Sequence, residues 1–156
     1  MKLLDLLEQT DYECIQGSMD TEVTAVVYDS RKAAEGCLFI CIEGANFDGH
    51  RFAAEVVEKG AKVLIVSKDL ETAVEKDITI IKVADTRYAM AFISAAWFGH
   101  PAEKLKIIGI TGTKGKTTTT WLVKDILEEA GFKVGLIGTI ETIIGDTHIP
   151  AESTTP

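Results

Sequence analysis

The segment IIGITGTKGKTTTTWLVKDIL, residues 107–127, constrains the fold of this chain more than any other part. An apolar run leads into a loop that contains Gly112 and Gly115, and a sequence with helical spacing follows without a gap. A strand that enters a helix through glycines leaves backbone N–H groups free at one point, where the helix dipole favours negative charge. The segment therefore predicts a phosphate-binding loop.

The glycine loop is a shortened form of the usual phosphate-binding motif. The pattern G-x-x-x-x-G-K-[ST] requires glycine at position 110, where this chain has Ile110, so the motif present is G-x-x-G-K-T. Lys116 is expected to reach the outer phosphates as a point charge, and Thr117 is expected to ligate Mg²⁺. A plain helix N-terminus without a ligand is the alternative interpretation of the loop.

The residues around the loop predict a βαβ unit. Residues 105–110 and 133–139 are typical of strands. Val123 and Ile126 lie on one face of the helix expected between them. Because two strands joined through a helix imply a parallel sheet, a parallel sheet is expected here. Residues 104–156 are too few to close a doubly wound domain of about 100 residues or more, so we expect only the beginning of one.

The first hundred residues have the periodicities of a separate, small α/β domain. The predicted strands are residues 23–30, 37–42, 62–67 and 78–83. Asp85 is expected to cap the helix that follows the last of these strands. That helix pattern ends at Gly99-His100-Pro101, where we place the domain boundary. The predicted domains are therefore residues 1–100 and 101–156.

Charge and composition argue against several classes of function. The formal net charge of −8 argues against a protein that binds nucleic acid by neutralising phosphates. No apolar stretch approaches the roughly 20 residues of a membrane helix, and the N-terminus turns acidic before a signal peptide could form. A cytoplasmic protein without a membrane partner is expected. Cys37 and Cys41 are expected to be buried thiols on one face of a strand, and the histidines are too scattered for a metal site.

Three blocks of sequence resemble the Mur ligases, the ATP-dependent enzymes that append amino acids to the UDP-N-acetylmuramoyl peptide of bacterial cell-wall precursor. GITGTKGKTTT, residues 109–119, is similar to their ATP loop. DSRKAAEGCLFICIEGANFDGHRF, residues 29–52, is similar to the signature of their uridine-binding N-terminal domain. STTP, residues 153–156, resembles the segment that contacts the muramoyl substrate in the tripeptide synthetases of the family (MurE type). Three ordered blocks are more specific than the loop alone.

The resemblance implies a fold and a set of site residues. The implied fold is α/β, with a small N-terminal α/β domain that binds UDP and the start of a parallel-sheet P-loop domain that binds ATP. The residues implied for the UDP-bearing substrate are Tyr28, Ser30, Ala45, Asn46, Phe47, Ser153, Thr154 and Thr155. The residues implied for ATP are Gly112, Thr113, Lys114, Gly115, Lys116, Thr117 and Thr118. Among these, Lys116 is implied to act on the phosphates and Thr117 on Mg²⁺.

The resemblance also implies amide-bond formation by carboxylate activation. A carboxylate of UDP-N-acetylmuramoyl-L-Ala-D-Glu attacks the γ-phosphate of ATP, and the amine of an amino acid, expected to be a diamino acid, displaces the phosphate. Positioning and charge neutralisation carry such phosphoryl transfer, which agrees with a loop that offers amides and Lys116 but no nucleophile. The whole enzyme is expected to be a monomer whose partners are these small molecules. The chain alone is expected to be inactive.

Several alternatives stay open at this point. The ligase that adds D-Ala-D-Ala (MurF type) has a similar N-terminal block, a nucleotide-binding module could lack ligase activity, and a generic P-loop NTPase would leave the first hundred residues unexplained. Asp29 could merely cap a turn at Ser30, and residues 48–50 are more typical of a turn and helix start than of a ligand. Lys114 and Ser153 differ from the residues usual in tripeptide synthetases. Residues 143–156 have few apolar anchors and are expected to be mobile.

Overall fold

A mostly parallel sheet organises the first of two compact units, Met1–Leu105 and Lys106–Pro156. The computed structural model describes residues 1–44, 47–70, 74 and 77–151. The strands described in the first unit are β1 Glu13–Gln16, β2 Val26–Val27, β3 Leu38–Ile40, β4 Val63–Val66 and β5 Thr79–Lys82. They lie in the order β1-β5-β4-β3-β2, with β2 to β5 mutually parallel and β1 antiparallel to β5. The α/β class is confirmed, and β2 to β5 lie within the predicted strand ranges but are shorter.

Helices and short 3-10 turns connect these strands. The helices of this unit are α1 Leu3–Leu6, α2 Ala53–Glu58 and α3 Thr86–Trp97. The 3-10 turns are Ser30–Lys32, Gly49–Phe52 and Pro101–Lys104. Asp85 caps α3 as predicted, because its carboxylate accepts hydrogen bonds from the backbone N–H groups of Arg87 and Tyr88. Such a cap stabilises a helix by about 1 kcal/mol.

Apolar clusters cover both faces of the first sheet. Leu38 and Ile40 point to the cluster that includes residues of α1 and α3. Cys37, Phe39 and Cys41 point to the opposite cluster, which includes residues of α2. Each fully buried aliphatic or aromatic side chain contributes about 2 kcal/mol through the hydrophobic effect. Both predicted thiols are buried in the same cluster, as expected for side chains on one face of a strand.

The second unit differs from the predicted βαβ arrangement. It contains α4 Lys116–Glu129 and a sheet of β6 Gly135–Ile137, β7 Glu141–Ile144 and β8 Thr147–Pro150. The sheet is antiparallel, with β7 between β6 and β8. Within the described residues no strand forms at 105–110, so the predicted strand and its parallel pairing with β6 are wrong here. Closing the short loop of a hairpin costs less conformational entropy than closing the longer connection between two parallel strands. β6 therefore pairs with β7, the next strand in the sequence.

The hairpin of β7 and β8 also corrects the prediction for the end of the chain. Residues 143–150 were expected to be mobile, but Ile143 is 2% exposed and lies within the sheet. Gly145, with a φ of +57°, and Asp146 form the two-residue turn between the strands. Glycine favours the first position of such a turn because it adopts a positive φ without strain. In the described part of the chain, no helix is long and apolar enough to cross a membrane.

Candidate nucleotide-binding sites

The glycine loop of the second unit presents free backbone donors at the start of α4. Gly115 is the N-cap residue with a φ of +78°, a conformation that glycine adopts without strain. No side chain caps the helix. Across the described residues, the N–H groups of Lys116, Thr117 and Thr118 donate to no protein acceptor. These donors lie at the positive end of the helix dipole, so the loop can bind an oxyanion.

The side chain of Lys116 lies over this loop. Its Nζ atom donates a hydrogen bond of 2.7 Å to the carbonyl oxygen of Gly112, four residues earlier in the chain. The lysine side chain is therefore held beside the free amides by a weak, exposed contact. A phosphate oxygen would offer the ammonium group a charge-assisted partner in place of a neutral carbonyl.

The threonines after Lys116 differ in what their hydroxyl groups contact. The hydroxyl groups of Thr119 and Thr120 donate to the carbonyl oxygens of Gly115 and Thr117, at 2.9 Å and 2.7 Å. These two hydroxyl groups stabilise the first turn of α4. Thr117 is half-buried, and its hydroxyl fits Mg²⁺, which usually takes one or two protein ligands together with phosphate oxygens and water.

Across the described residues, no group of three or more His, Cys, Asp or Glu side chains could hold a metal by itself.

The first unit gathers its predicted site residues at one edge of the sheet. Because β2 and β3 are parallel, the segments that follow them begin at the same edge. Open α/β sheets bind ligands at this carboxyl edge. Tyr28 and Ser30 follow β2, and Phe47 follows β3. Tyr28 is 62% exposed and Phe47 is 51% exposed, so both aromatic rings are available to a ligand.

Ser30 begins a 3-10 turn that Asp29 caps. The Asp29 carboxylate accepts hydrogen bonds from the backbone N–H of Arg31 and from its guanidinium group, at distances of 2.7 to 3.2 Å. The Arg31 side chain, followed by its backbone N–H, lowers the pKa of Asp29 to about 2. The capping role considered for Asp29 is thus confirmed. Lys59 Nζ donates to the Ser30 carbonyl oxygen at 2.9 Å, which fixes the turn against α2.

An ionic network that the sequence does not predict joins Asp48 and His50 to Lys68. Asp48 accepts hydrogen bonds from the backbone N–H and Nδ1 of His50, and its other oxygen lies 2.8 Å from Lys68 Nζ. The hydrogen bond from Lys68, followed by that from the His50 backbone, lowers the pKa of Asp48. Residues 48–50 form the predicted turn and helix start. Lys68 directly follows the strand pattern of 62–67, so its place at the carboxyl edge was the available signal.

The remaining predicted site residues lie outside the described residues. These are Ala45 and Asn46 in the segment after β3, and Ser153, Thr154 and Thr155 near the end of the chain. In the described part, Gly112 to Thr118 lie together in the second unit, and Tyr28, Ser30 and Phe47 lie at one sheet edge in the first.

Two protein-family models match the chain. The model of the Mur ligase family catalytic domain matches residues 22–98. The model of the Mur ligase middle domain matches residues 110–156. The two matched ranges contain the sheet-edge residues and the glycine loop respectively.

Curated relatives match the whole chain. The UDP-N-acetylmuramoyl-L-alanyl-D-glutamate–2,6-diaminopimelate ligase of Clostridium perfringens is 51% identical over 156 residues, which are 100% of this chain and 32% of the relative. The ligase of the same name from Clostridioides difficile is 43% identical, with the same coverage. The chain therefore spans about a third of the length of the curated relatives it matches.

Solved structures of such ligases share the fold. MurF from Acinetobacter baumannii is 33% identical with a TM-score of 0.58, and the match covers 82% of this chain and 27% of that chain. MurF from Thermotoga maritima, solved in complex with ADP, is 26% identical with a TM-score of 0.52, covering 76% and 25%. A UDP-N-acetylmuramoyl-L-alanyl-D-glutamate–2,6-diaminopimelate ligase gives a TM-score of 0.71 at 22% identity, covering 100% and 31%.

Proposed function

The chain belongs to the Mur ligase family, and from that premise we propose that it is part of an ATP-dependent ligase. The ligase joins a diamino acid to UDP-N-acetylmuramoyl-L-Ala-D-Glu through an amide bond. The names of the curated relatives support this acceptor and suggest 2,6-diaminopimelate as the amino acid. The observation that carries the proposal is the start of α4, where Lys116 lies beside uncapped backbone N–H groups.

The glycine loop serves the phosphoryl-transfer half of this reaction. The free amides of residues 116–118 bind phosphate oxygens of ATP, and Lys116 moves from the Gly112 carbonyl oxygen to the outer phosphates. The acceptor carboxylate then attacks the γ-phosphorus, which gives an acyl phosphate and ADP. The amine of the amino acid displaces phosphate from the acyl carbon. Mg²⁺, with Thr117 among its ligands, would neutralise charge on the phosphates, and the loop orients them.

The carboxyl edge of the first sheet binds the UDP part of the acceptor in this proposal. Tyr28, Ser30 and Phe47 lie at that edge, and two of them are exposed aromatic residues suited to a nucleobase. The contacts assigned to the other substrate-binding residues rest on the family resemblance; these residues are Ala45, Asn46, Ser153, Thr154 and Thr155. The two proposed domains thus bind different nucleotides. A monomeric, cytoplasmic enzyme completes the proposal.

The first prediction tests both assignments with a substitution at Lys116. Lys116→Ala should lower the affinity of residues 1–156 for Mg-ATP at least about tenfold, because the phosphates lose a charge-assisted contact. The affinity for UDP should not change, since UDP binds the other unit. Isothermal titration calorimetry measures both, and circular dichroism checks the fold. Lys133→Ala, which removes an exposed lysine of the same unit, is the matched control.

Two results would contradict the assignments. Unchanged ATP affinity in Lys116→Ala would remove the phosphate role of the loop. A loss of UDP affinity in the same variant would reverse the assignment of the two nucleotides to the two units.

A second candidate function is the ligation of D-Ala-D-Ala, because solved MurF structures match this chain at 33% identity. The two functions differ in the acceptor. A diaminopimelate ligase binds the UDP-N-acetylmuramoyl dipeptide, whereas MurF binds the tripeptide. Competition between the two acceptors in the full-length enzyme, followed by phosphate release, decides between them.

A further inference from the structure

We infer that Lys59, at the end of α2, is a positioning residue that holds the Ser30 hydroxyl group in place for the uridine nucleotide. The inference rests on the proposed function of the first unit, which assigns Ser30 to the UDP part of the acceptor. It concerns residues 29–33, called here the Ser30 turn, and the end of α2 beside them. All of these residues lie in the described part of the chain.

The Ser30 turn uses the backbone of Ser30 and leaves its hydroxyl group free. The Asp29 carboxylate accepts from the Arg31 N–H at 3.0 Å, and the Asp29 carbonyl oxygen accepts from the Lys32 N–H at 2.9 Å. A serine at the start of a turn often makes such a capping bond itself, but here Asp29 makes it. Ser30 is half-buried, and its hydroxyl group hydrogen-bonds to no other described residue. That hydroxyl is therefore available to a ligand.

Lys59 makes the shorter of two hydrogen bonds to the Ser30 carbonyl oxygen. The Ala33 N–H donates to this oxygen at 3.4 Å, which is long for an N–H···O bond. Lys59 Nζ donates to the same oxygen at 2.9 Å, and its positive charge strengthens the bond. Because the carbonyl group and the side chain of Ser30 share one Cα atom, fixing the carbonyl group limits where the hydroxyl group can lie.

The end of α2 is a fixed base for the Lys59 side chain. Gly60 has a φ of +99°, and its carbonyl oxygen accepts from the Gly36 N–H at 2.8 Å. A Cβ atom on Gly60 would lie 2.9 Å from the Glu35 Cα atom, so the two backbones are in close contact. The residue after Lys59 is thus held directly against the segment that follows the Ser30 turn.

Glu55 orients the Lys59 ammonium group from within α2. Its carboxylate lies 2.6 Å from Lys59 Nζ, one helical turn earlier in the chain. The Lys59 side chain is 38% exposed and that of Glu55 is 46% exposed, so solvent screens the ion pair. The consequence for binding is local: a hydroxyl group that is already positioned loses less conformational entropy when a ligand binds, and the ligand binds more tightly.

Four substitutions separate the positioning role from the general effect of a surface charge. Lys59→Met keeps an unbranched side chain but removes the ammonium group, and Lys59→Arg restores a charged donor. Ser30→Ala removes the hydroxyl group that Lys59 is inferred to position. Lys62→Met is the matched control, because the Lys62 side chain is 40% exposed and its Nζ atom lies 3.4 Å from Asp77.

The experiment titrates residues 1–156 and each variant with UDP at a temperature where all are folded. Lys59→Met should bind UDP about three- to tenfold more weakly, the size of one lost hydrogen bond, and Lys59→Arg should recover most of that loss. Lys62→Met should bind as the original chain does. In a chain that already carries Ser30→Ala, Lys59→Met should cause no further loss, because the two residues act through one hydroxyl group.

Nuclear magnetic resonance reports on the Ser30 turn without a ligand. The carbonyl carbon-13 resonance of Ser30 should move upfield in Lys59→Met, because its oxygen loses a charge-assisted hydrogen bond. Amide hydrogen exchange at Lys32 should become faster in the same variant, because the turn opens more often. Lys59→Arg and Lys62→Met should leave both signals close to those of the original chain.

The outcomes separate this inference from the proposed function. If Ser30→Ala weakens UDP binding but Lys59→Met does not, or if their losses simply add, Lys59 does not act through Ser30 and the inference is wrong. If the original chain does not bind UDP, or Ser30→Ala binds it equally well, the proposed role of Ser30 fails. The Ser30 carbonyl shift and Lys32 exchange then decide whether Lys59 holds the turn: a change in Lys59→Met supports that part, and unchanged signals overturn it.

Discussion

At the residue scale, burial decides which functional groups of this chain can react. Cys37 and Cys41 are fully buried, whereas Cys14 lies exposed in β1. Burial, with a smaller effect of the Asp48 carboxylate, raises the pKa of Cys41 to about 12, and burial also raises the pKa of Cys37. Because the thiolate is the reactive form, the two buried thiols are inert in the folded chain.

The thiol pattern gives a direct test of the fold of the first unit. We expect one cysteine of residues 1–156 to react rapidly with an aromatic disulfide reagent at neutral pH, and two to react only when urea unfolds the chain. Cys14→Ser should remove the fast reaction and leave the slow ones unchanged. Rapid modification of Cys37 or Cys41 in the folded state would contradict their place in the core.

The Asp48 carboxylate should make the folded chain more stable at neutral pH than in acid. Lys68 and His50 hold its pKa below the usual value, so its ionised form stabilises the folded state above about pH 4, the unfolded value. This contribution is lost as the pH falls through the lower folded pKa. Asp48→Asn should therefore reduce the free energy of unfolding by about 1 kcal/mol at neutral pH, allowing for solvent screening, and by less in acid.

Urea denaturation of the original chain and of Asp48→Asn, each at neutral pH and in acid, measures the difference in the free energy of unfolding. Asp69→Asn is the control, because the Asp69 carboxylate is 88% exposed and pairs only with Lys82 among the described residues. A gap between Asp48→Asn and the original chain that widens in acid would show that the sign is wrong.

At the element scale, the 3-10 turn Gly49–Phe52 depends on a close approach of two backbones. A Cβ atom on Gly49 would lie 2.7 Å from the Ile42 nitrogen and 2.9 Å from the Ile42 oxygen. The Gly49 N–H also donates to that oxygen at 2.8 Å. Glycine is therefore required at this position for space, so that the 3-10 turn can begin directly beside the end of β3.

Gly49→Ala should destabilise the first unit by about 3 kcal/mol, because backbone atoms must move to admit a methyl group. Gly109→Ala is the matched control, since a Cβ atom there meets nothing within 4 Å. Urea denaturation followed by circular dichroism measures both. Equal stability of the two variants would show that the start of this turn has more room than its geometry indicates.

The elements that the sequence predicted well are those with a complete local signal. β3 and β4 are continuous apolar runs buried on both faces, and Asp85 has its cap partners within three residues. Residues 105–110 carry the same kind of apolar run but form no strand, because a strand needs a partner that sequence periodicity does not supply. The Gly145-Asp146 pair is a local turn signal in the sequence, and it lies between the two strands of the hairpin.

The candidate site was predictable where the motif is contiguous in sequence. The glycine loop, with Lys116 and Gly115, is one segment, and its geometry follows from a helix N-terminus. The network of Asp48, His50 and Lys68 joins the ends of two strands. Only the sheet topology brings Lys68 to Asp48, so no local pattern could reveal the pair.

At the scale of the whole molecule, the two units differ in how much apolar surface they bury. The first has large clusters on both faces of its sheet. In the second, no described residue of α4 is buried, and Ile126 is 67% exposed. Exposed apolar helix faces mark surfaces that other protein covers, or that cause aggregation. We therefore expect residues 1–156 to have low solubility.

The last prediction is that residues 1–156 bind ATP but form no amide bond. The chain spans about a third of the length of its curated relatives, and the described residues contain a phosphate loop without a cluster of acidic metal ligands. Correct positioning of the reacting groups supplies much of an enzyme's rate, up to about 7–11 kcal/mol of the barrier. We expect the described residues to leave the acceptor carboxylate and the amine unoriented, so phosphate release should stay at background. The assay combines ATP, Mg²⁺, UDP-N-acetylmuramoyl-L-Ala-D-Glu and 2,6-diaminopimelate with the purified chain, and Lys116→Ala serves as the blank. Phosphate release that requires the acceptor and is lost in Lys116→Ala would show that these residues already hold a complete active site.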